Sequence, residues 1–156
     1  VDRTQKPAEV FVMRDKPRGH EAYGQYEDLN GEFIVGNYDA PAVYTNYAHV
    51  NFTLDTDPVS GNVYVVGGFT NWNLTDENKM TYDPAQHAYV STVLLKQGLY
   101  DYQYVVQSPT LPAHYFEGSY FQTENWYEVF VYFKPFKPNA DLLIGYLRFE
   151  QNARRR

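Results

Sequence analysis

Val63-Tyr64-Val65-Val66-Gly67-Gly68-Phe69-Thr70-Asn71-Trp72 is followed, two dozen residues on, by Leu94-Leu95-Lys96-Gln97-Gly98-Leu99-Tyr100-Asp101-Tyr102-Gln103-Tyr104-Val105-Val106. The first stretch reads as a buried strand that ends in a glycine-tight corner carrying two aromatics. The second reads as a strand, a turn at Gly98 and a further strand with Tyr100, Tyr102 and Tyr104 on one face. In this reading Gly67, Gly68, Phe69, Gly98 and the three tyrosines are structural, with Phe69 plugging the core. Nothing in the block is poised for a reaction.

Outward from this centre the pattern stays that of strands. Upstream, Val50, Phe52 and Leu54 alternate with Asn51 and Thr53, the period-two signature of a strand buried on one face. Tyr89 to Leu95, Tyr127 to Phe133 and Leu142 to Phe149 continue the series. Turn residues such as Asp83-Pro84 and Pro135…Pro138 separate them. Aromatics make up 18% of the 156 residues, with 16 tyrosines, and rings of that size favour the pleated surface of a sheet. The expectation is an all-β fold, an antiparallel immunoglobulin-like (early-set) β-sandwich.

The expected domain layout has three parts. Residues 1–47 hold too few apolar positions for a core of their own and read as terminal strands and linker of a preceding β domain. Short strands are expected near Val10–Val12 and over Glu32–Val35, the latter broken by Gly36-Asn37-Tyr38. Residues 48–150 form the sandwich, and 151–156 a basic tail ending in Arg154-Arg155-Arg156. The chain opens on Val1 with no apolar signal core in residues 1–15, as expected of a mature or excised piece.

Composition narrows the function. A net charge of −6 argues against a nucleic-acid footprint, which needs a concentrated basic face. No apolar run is long enough to span a membrane as a helix. Cysteine is absent, so thiolate metal sites are excluded. His20, His49, His87 and His114 stand singly, and no metal or other cofactor is expected. The run from Asp55 has Asp57 at its third position but lacks the glycine and the closing Glu of a calcium loop, so it reads as a turn. Glu117 and Glu124 flank a long irregular segment, with Asp101 on a neighbouring strand. These carboxylates are expected to anchor the loop or to stand as solvated charge rather than to act as a glycosidase pair, and no catalytic residue is assigned. Asn51-Phe52-Thr53 and Asn73-Leu74-Thr75 fit the glycosylation pattern.

Candidate contact residues lie in two places. Asn71 and Trp72 occupy the corner, where the indole either stacks on a sugar or a partner side chain or folds back over the sandwich edge. The segment Gln107–Trp126 carries Tyr115, Phe116, Tyr120, Phe121, Asn125 and Trp126, and structureless stretches of that length are usually functional.

Two resemblances rest on these residues. Gly68-Phe69-Thr70-Asn71-Trp72 with Lys96-Gln97-Gly98-Leu99-Tyr100-Asp101-Tyr102-Gln103-Tyr104 resembles the early-set modules that include glycogen-binding domains. That implies glycan stacking by Trp72 and a hydrogen bond from Asn125. Gln103 stands at the family's lysine position, and Tyr115 or Phe116 nearest its second tryptophan. The wider resemblance spans nearly the whole chain. Asp28-Leu29-Asn30-Gly31-Glu32-Phe33, the Val65–Trp72 corner, Met80-Thr81-Tyr82 and Leu94–Tyr100 are followed by Glu117-Gly118-Ser119, Thr123-Glu124-Asn125 and Asp141–Tyr146. This ordered set resembles the carboxy-terminal portion of the plug-protein family of the type IX secretion system in Bacteroidota. It implies a non-catalytic periplasmic protein that seals a giant outer-membrane β-barrel translocon by protein–protein contact. A carbohydrate-binding module and an ancillary domain of a larger enzyme or adhesin are the alternatives.

Overall fold

The computed structural model describes residues 7–24, 28–36 and 45–152. The expected loose start, the break after Gly36 and the basic tail at Arg154–Arg156 lie outside the described residues. Among the described residues there are ten strands: β1 (Ala8–Phe11), β2 (Phe33–Val35), β3 (Tyr47–Asp55), β4 (Asn62–Gly67), β5 (Lys79–Asp83), β6 (Ala88–Lys96), β7 (Gly98–Tyr100), β8 (Tyr102–Gln107), β9 (Asn125–Phe133) and β10 (Leu142–Gln151). The fold is all-β, with open sheets, as the alternation predicts.

Hydrogen-bonded order runs β1-β3-β6-β5-β4-β8. β5 is the corner between two layers, because Lys79 and Met80 pair with β4 whereas Thr81 to Asp83 pair with β6. Strands that switch sheets in this way let one ribbon of strands fold into two facing layers. The inner faces follow the period of two. Phe52 and Leu54 of β3 and Tyr89 and Leu95 of β6 share one core with Val63 and Val65 of β4 and Tyr104 and Val106 of β8. Phe52 meets Tyr102 edge-on at 5.0 Å and lies parallel to Phe69 at 6.3 Å. Phe69 packs against the core as expected, with Tyr100 edge-on to it at 5.9 Å.

Three features differ from the sequence expectation. The tyrosine-bearing stretch is two strands rather than one: the chain breaks at Asp101, β7 pairs with β2, and β8 pairs with β4. Tyr100 therefore stacks on Phe33 at 5.3 Å, whereas Tyr102 and Tyr104 meet edge-on at 5.8 Å. β1 pairs with β3 in parallel, and Asp15 adds a parallel bridge to Leu54; the other strand pairs among the described residues are antiparallel.

The third difference is the boundary. The chain divides into Val1–Gly118 and Ser119–Arg156 rather than at residues 47 and 48. Backbone pairing is the reason: β1 and β2 are bonded to β3 and β7, so the early strands belong to the first unit. β9 and β10, expected in the sandwich, instead form a two-stranded antiparallel ribbon in the second unit.

Candidate functional site

The corner after β4 is built by its glycines. A Cβ at Gly67 would stand closer than 3.0 Å to the carbonyl oxygen of Asp101, and one at Gly68 would lie 2.9 Å from the ring of Phe33. The tight turn Gly68–Thr70 is closed by the Thr70 hydroxyl, which donates to the Gly67 carbonyl at 3.0 Å. Asn71 and Trp72 both adopt left-handed backbone, φ 49° and 59°. That conformation is uncommon for a residue as bulky as tryptophan. It places the indole against Gly31, where an added Cβ would lie 2.8 Å from Cζ2. Trp72 thus folds back over the Asp28–Gly31 turn while remaining 45% exposed.

The same turn is held from below. The Asp101 carboxylate accepts the backbone N–H groups of Leu29 at 2.6 Å and Gly31 at 2.9 Å. Gly31 itself has φ +83°, which favours glycine. The aspartate–glycine turn at residues 28–31, the glycine corner and Asp101 are one joint.

Beside this joint opens a cleft of about 440 Å³, lined by Trp72, Gln103, Lys16, Tyr102, Asp15 and Glu117 among others. Its acids are occupied within the fold. Asp15 accepts the hydroxyls of Tyr102 at 2.8 Å and Tyr104 at 2.7 Å through one oxygen. Burial, and after it this hydrogen bond, pushes both phenols far above the ordinary tyrosine range. Glu117 accepts the Tyr104 backbone N–H at 2.9 Å and the Arg18 guanidinium, at 3.1 Å from Nε. Glu117 therefore anchors the loop to β8, and Asp101 anchors the 28–31 turn. Among the described residues no cluster of three or more His, Asp or Glu forms a cage for a metal ion. Asp55, first residue of the calcium-like run, pairs with Arg14.

The candidate contact residues are divided between the units. Asn71 and Trp72 are exposed in the first. Tyr115 is partly exposed and edge-on to Phe116, but Phe116 corrects the sequence expectation. It is 1% exposed, in the core, and unavailable to a partner or glycan. The Arg18 and Gly19 N–H groups donate to its carbonyl and clasp the loop there. Tyr120, Phe121, Asn125 and Trp126 belong to the second unit. Phe121 is 81% exposed, and Trp126 is 52% exposed beneath the Arg148 guanidinium, 3.7 Å from the ring centroid. Asn125 donates to the Thr123 carbonyl at 3.0 Å. Trp72 and Asn125, which the glycan-binding resemblance pairs, therefore fall in different units.

Asn78 is assigned no role in the sequence analysis. It is buried, and its amide donates to the carbonyls of Val65 and Asn73, both at 2.9 Å. Its oxygen accepts the Thr75 backbone N–H at 2.8 Å and the Thr75 hydroxyl at 3.0 Å. The available signal was the Thr75-Asp76-Glu77-Asn78 spacing, in which the side chain three residues on returns to the start of a turn. The Asn51 sequon is likewise built into the sheet: its amide donates to Glu9 at 2.6 Å and its oxygen accepts the Thr92 hydroxyl at 2.6 Å.

No family model matches the chain, and neither does any curated protein. The fold is an all-β sandwich, and the cleft acids Asp15, Asp101 and Glu117 tie its own strands and turns together. Among solved structures it is similar to a hypothetical protein from Parabacteroides merdae ATCC 43184. The two share 34% sequence identity over 92% of this chain, with a TM-score of 0.80. The chain spans 38% of that protein's length.

Proposed function

We propose that the protein is a non-catalytic component of the cell envelope, a periplasmic plug that closes a giant outer-membrane β-barrel by surface contact. The observation that carries this reading is the wiring of the cleft. Asp15, Asp101 and Glu117 each accept hydrogen bonds that fix one strand or turn to another. Carboxylates used in this way stiffen a body; a general acid or base has instead to face its substrate with a proton to exchange. The ordered motifs that resemble those of the plug family support the reading from a second side. Asp28–Gly31, the Gly67–Trp72 corner and Asp101 make a single rigid joint, and a seal under load needs rigidity. Barrels of up to about 36 strands leave a lumen that must be blocked when idle. The test is permeability: deleting the gene should admit large hydrophilic antibiotics, and restoring it should exclude them. Unchanged uptake in the deletion strain contradicts the proposal.

A second reading is favoured by one observation. Trp72 is half exposed at the edge of a 440 Å³ cleft that also holds Gln103, the arrangement of a sugar-stacking platform. Titration with maltooligosaccharides should then quench Trp72 fluorescence, read in a Trp126→Phe background. A flat response at millimolar sugar removes this alternative.

A further inference from the structure

The ribbon β9–β10 has two faces that differ in charge. On one, Trp126 lies under Arg148, and the Tyr146 hydroxyl donates to Glu128 at 2.6 Å, with Phe130, Tyr132 and Leu143 beside them. That face mixes charged and apolar groups. On the other, the register sets Tyr127 opposite Phe149, Val129 opposite Leu147 and Phe133 opposite Leu142, with Tyr127 and Phe149 stacked at 5.2 Å. No charged residue stands on that face between these pairs. All six side chains are exposed. Among the described residues neither strand pairs with anything but the other. An isolated two-stranded ribbon is marginal in water, and a long apolar strand with a free edge invites pairing.

We propose that the apolar face of β9–β10 is the docking surface for a second β domain, to whose sheet the ribbon adds its two strands, as an exposed edge accepts a strand. The occupant is polypeptide of the kind that makes up the larger part of the Parabacteroides protein. There the region similar to this chain is 38% of a longer molecule, and the rest is available to cover it. Area disfavours a second copy of this chain. Nine residue pairs at ~3.4 Å rise across two strands ~5 Å apart give a face of roughly 30 by 10 Å. A few hundred Å² falls short of the ~800 Å² that each partner of a standing complex buries. A sheet edge adds a row of backbone hydrogen bonds to the apolar cover, which a face-to-face pair of ribbons does not. This inference is independent of the plug reading, since an enzyme or adhesin would need the same cover.

Hydrogen exchange tests it, comparing this 156-residue chain at low micromolar concentration with the full-length Parabacteroides protein. Amides of residues 125–133 and 142–151 should exchange at least ~100-fold faster here than the aligned amides of the longer protein, whereas β3, β4 and β6 stay protected in both. Sedimentation of the same sample should give a monomer. Val129→Asp with Leu147→Asp should lower binding of an apolar dye without moving the melting of the first unit, and Glu150→Lys on the opposite face should change neither. Equal, rapid exchange in both proteins overturns the proposal. Ribbon protection in the monomeric chain, or protection that grows with concentration as a dimer forms, also overturns it. The first would mean the face is satisfied within this chain, the second that another copy covers it.

Discussion

Single side chains hold this sandwich at its irregular points. Asn78→Ala strips partners from the Thr75 N–H and the Val65 and Asn73 carbonyls in a buried site and should cost about 2–3 kcal/mol in urea unfolding. Asp101→Ala frees two N–H groups of the 28–31 turn and should cost about 2 kcal/mol, with a red shift of Trp72 emission as the turn loosens. Tyr102 and Tyr104 give the chain a defined response to alkali. The folded chain keeps these phenolic protons at pH values where the unfolded chain releases them. Their contribution is therefore complete below the unfolded value of about 10 and falls as pH rises past it. The urea midpoint should hold to about pH 9 and then decline, and Tyr102→Phe/Tyr104→Phe should start lower but decline less. Residue roles were legible where a residue type has one use. Gly67 beside an aromatic corner could be read directly. Asn78 and Asp101 could not, because their partners lie at Val65 and at Leu29 and Gly31, contacts that only the folded chain creates.

At the scale of elements, the period of two was enough to locate the strands. Val50, Phe52 and Leu54 point inward as their alternation requires, and the strands read at Tyr89 and Leu142 fall within β6 and β10. The break at Asp101 was hidden because Tyr100, Tyr102 and Tyr104 keep perfect alternation across it. What interrupts the strand is the demand of the 28–31 turn for the Asp101 carboxylate. Close approach at two junctions makes glycine necessary. Gly98→Ala would drive a Cβ closer than 3.0 Å to the Ile34 carbonyl oxygen, and Gly67→Ala would do the same to that of Asp101. Each should destabilise the first unit by several kcal/mol, since the obstacle is backbone: paired strand at Ile34, and at Asp101 the break between β7 and β8. A lower melting temperature and loss of the Phe33–Tyr100 stack, seen as ring-current shifts, would register it. A Gly36→Ala control meets no atom within 4 Å and tests only the backbone preference of a residue at φ +151°.

For the whole molecule, the sequence indicated one sandwich preceded by remnants of another domain, and the structure divides elsewhere. β9 and β10 have the aromatic and apolar content of sandwich strands, but that content cannot say which sheet a strand joins. A ribbon apolar on one face reads the same whether its cover is its own chain or another. The acids of the cleft near Trp72 hold the frame, and the exposed faces of β9 and β10 are rich in aromatic and apolar side chains, which is why we propose contact with another macromolecule as the protein's work. The most direct test is to recover the tagged, full-length protein from native envelopes solubilised in mild detergent and to identify what accompanies it. The account predicts a very large outer-membrane β-barrel in near-stoichiometric amount. Recovery of the protein without such a barrel, under conditions that keep other envelope complexes intact, would contradict it.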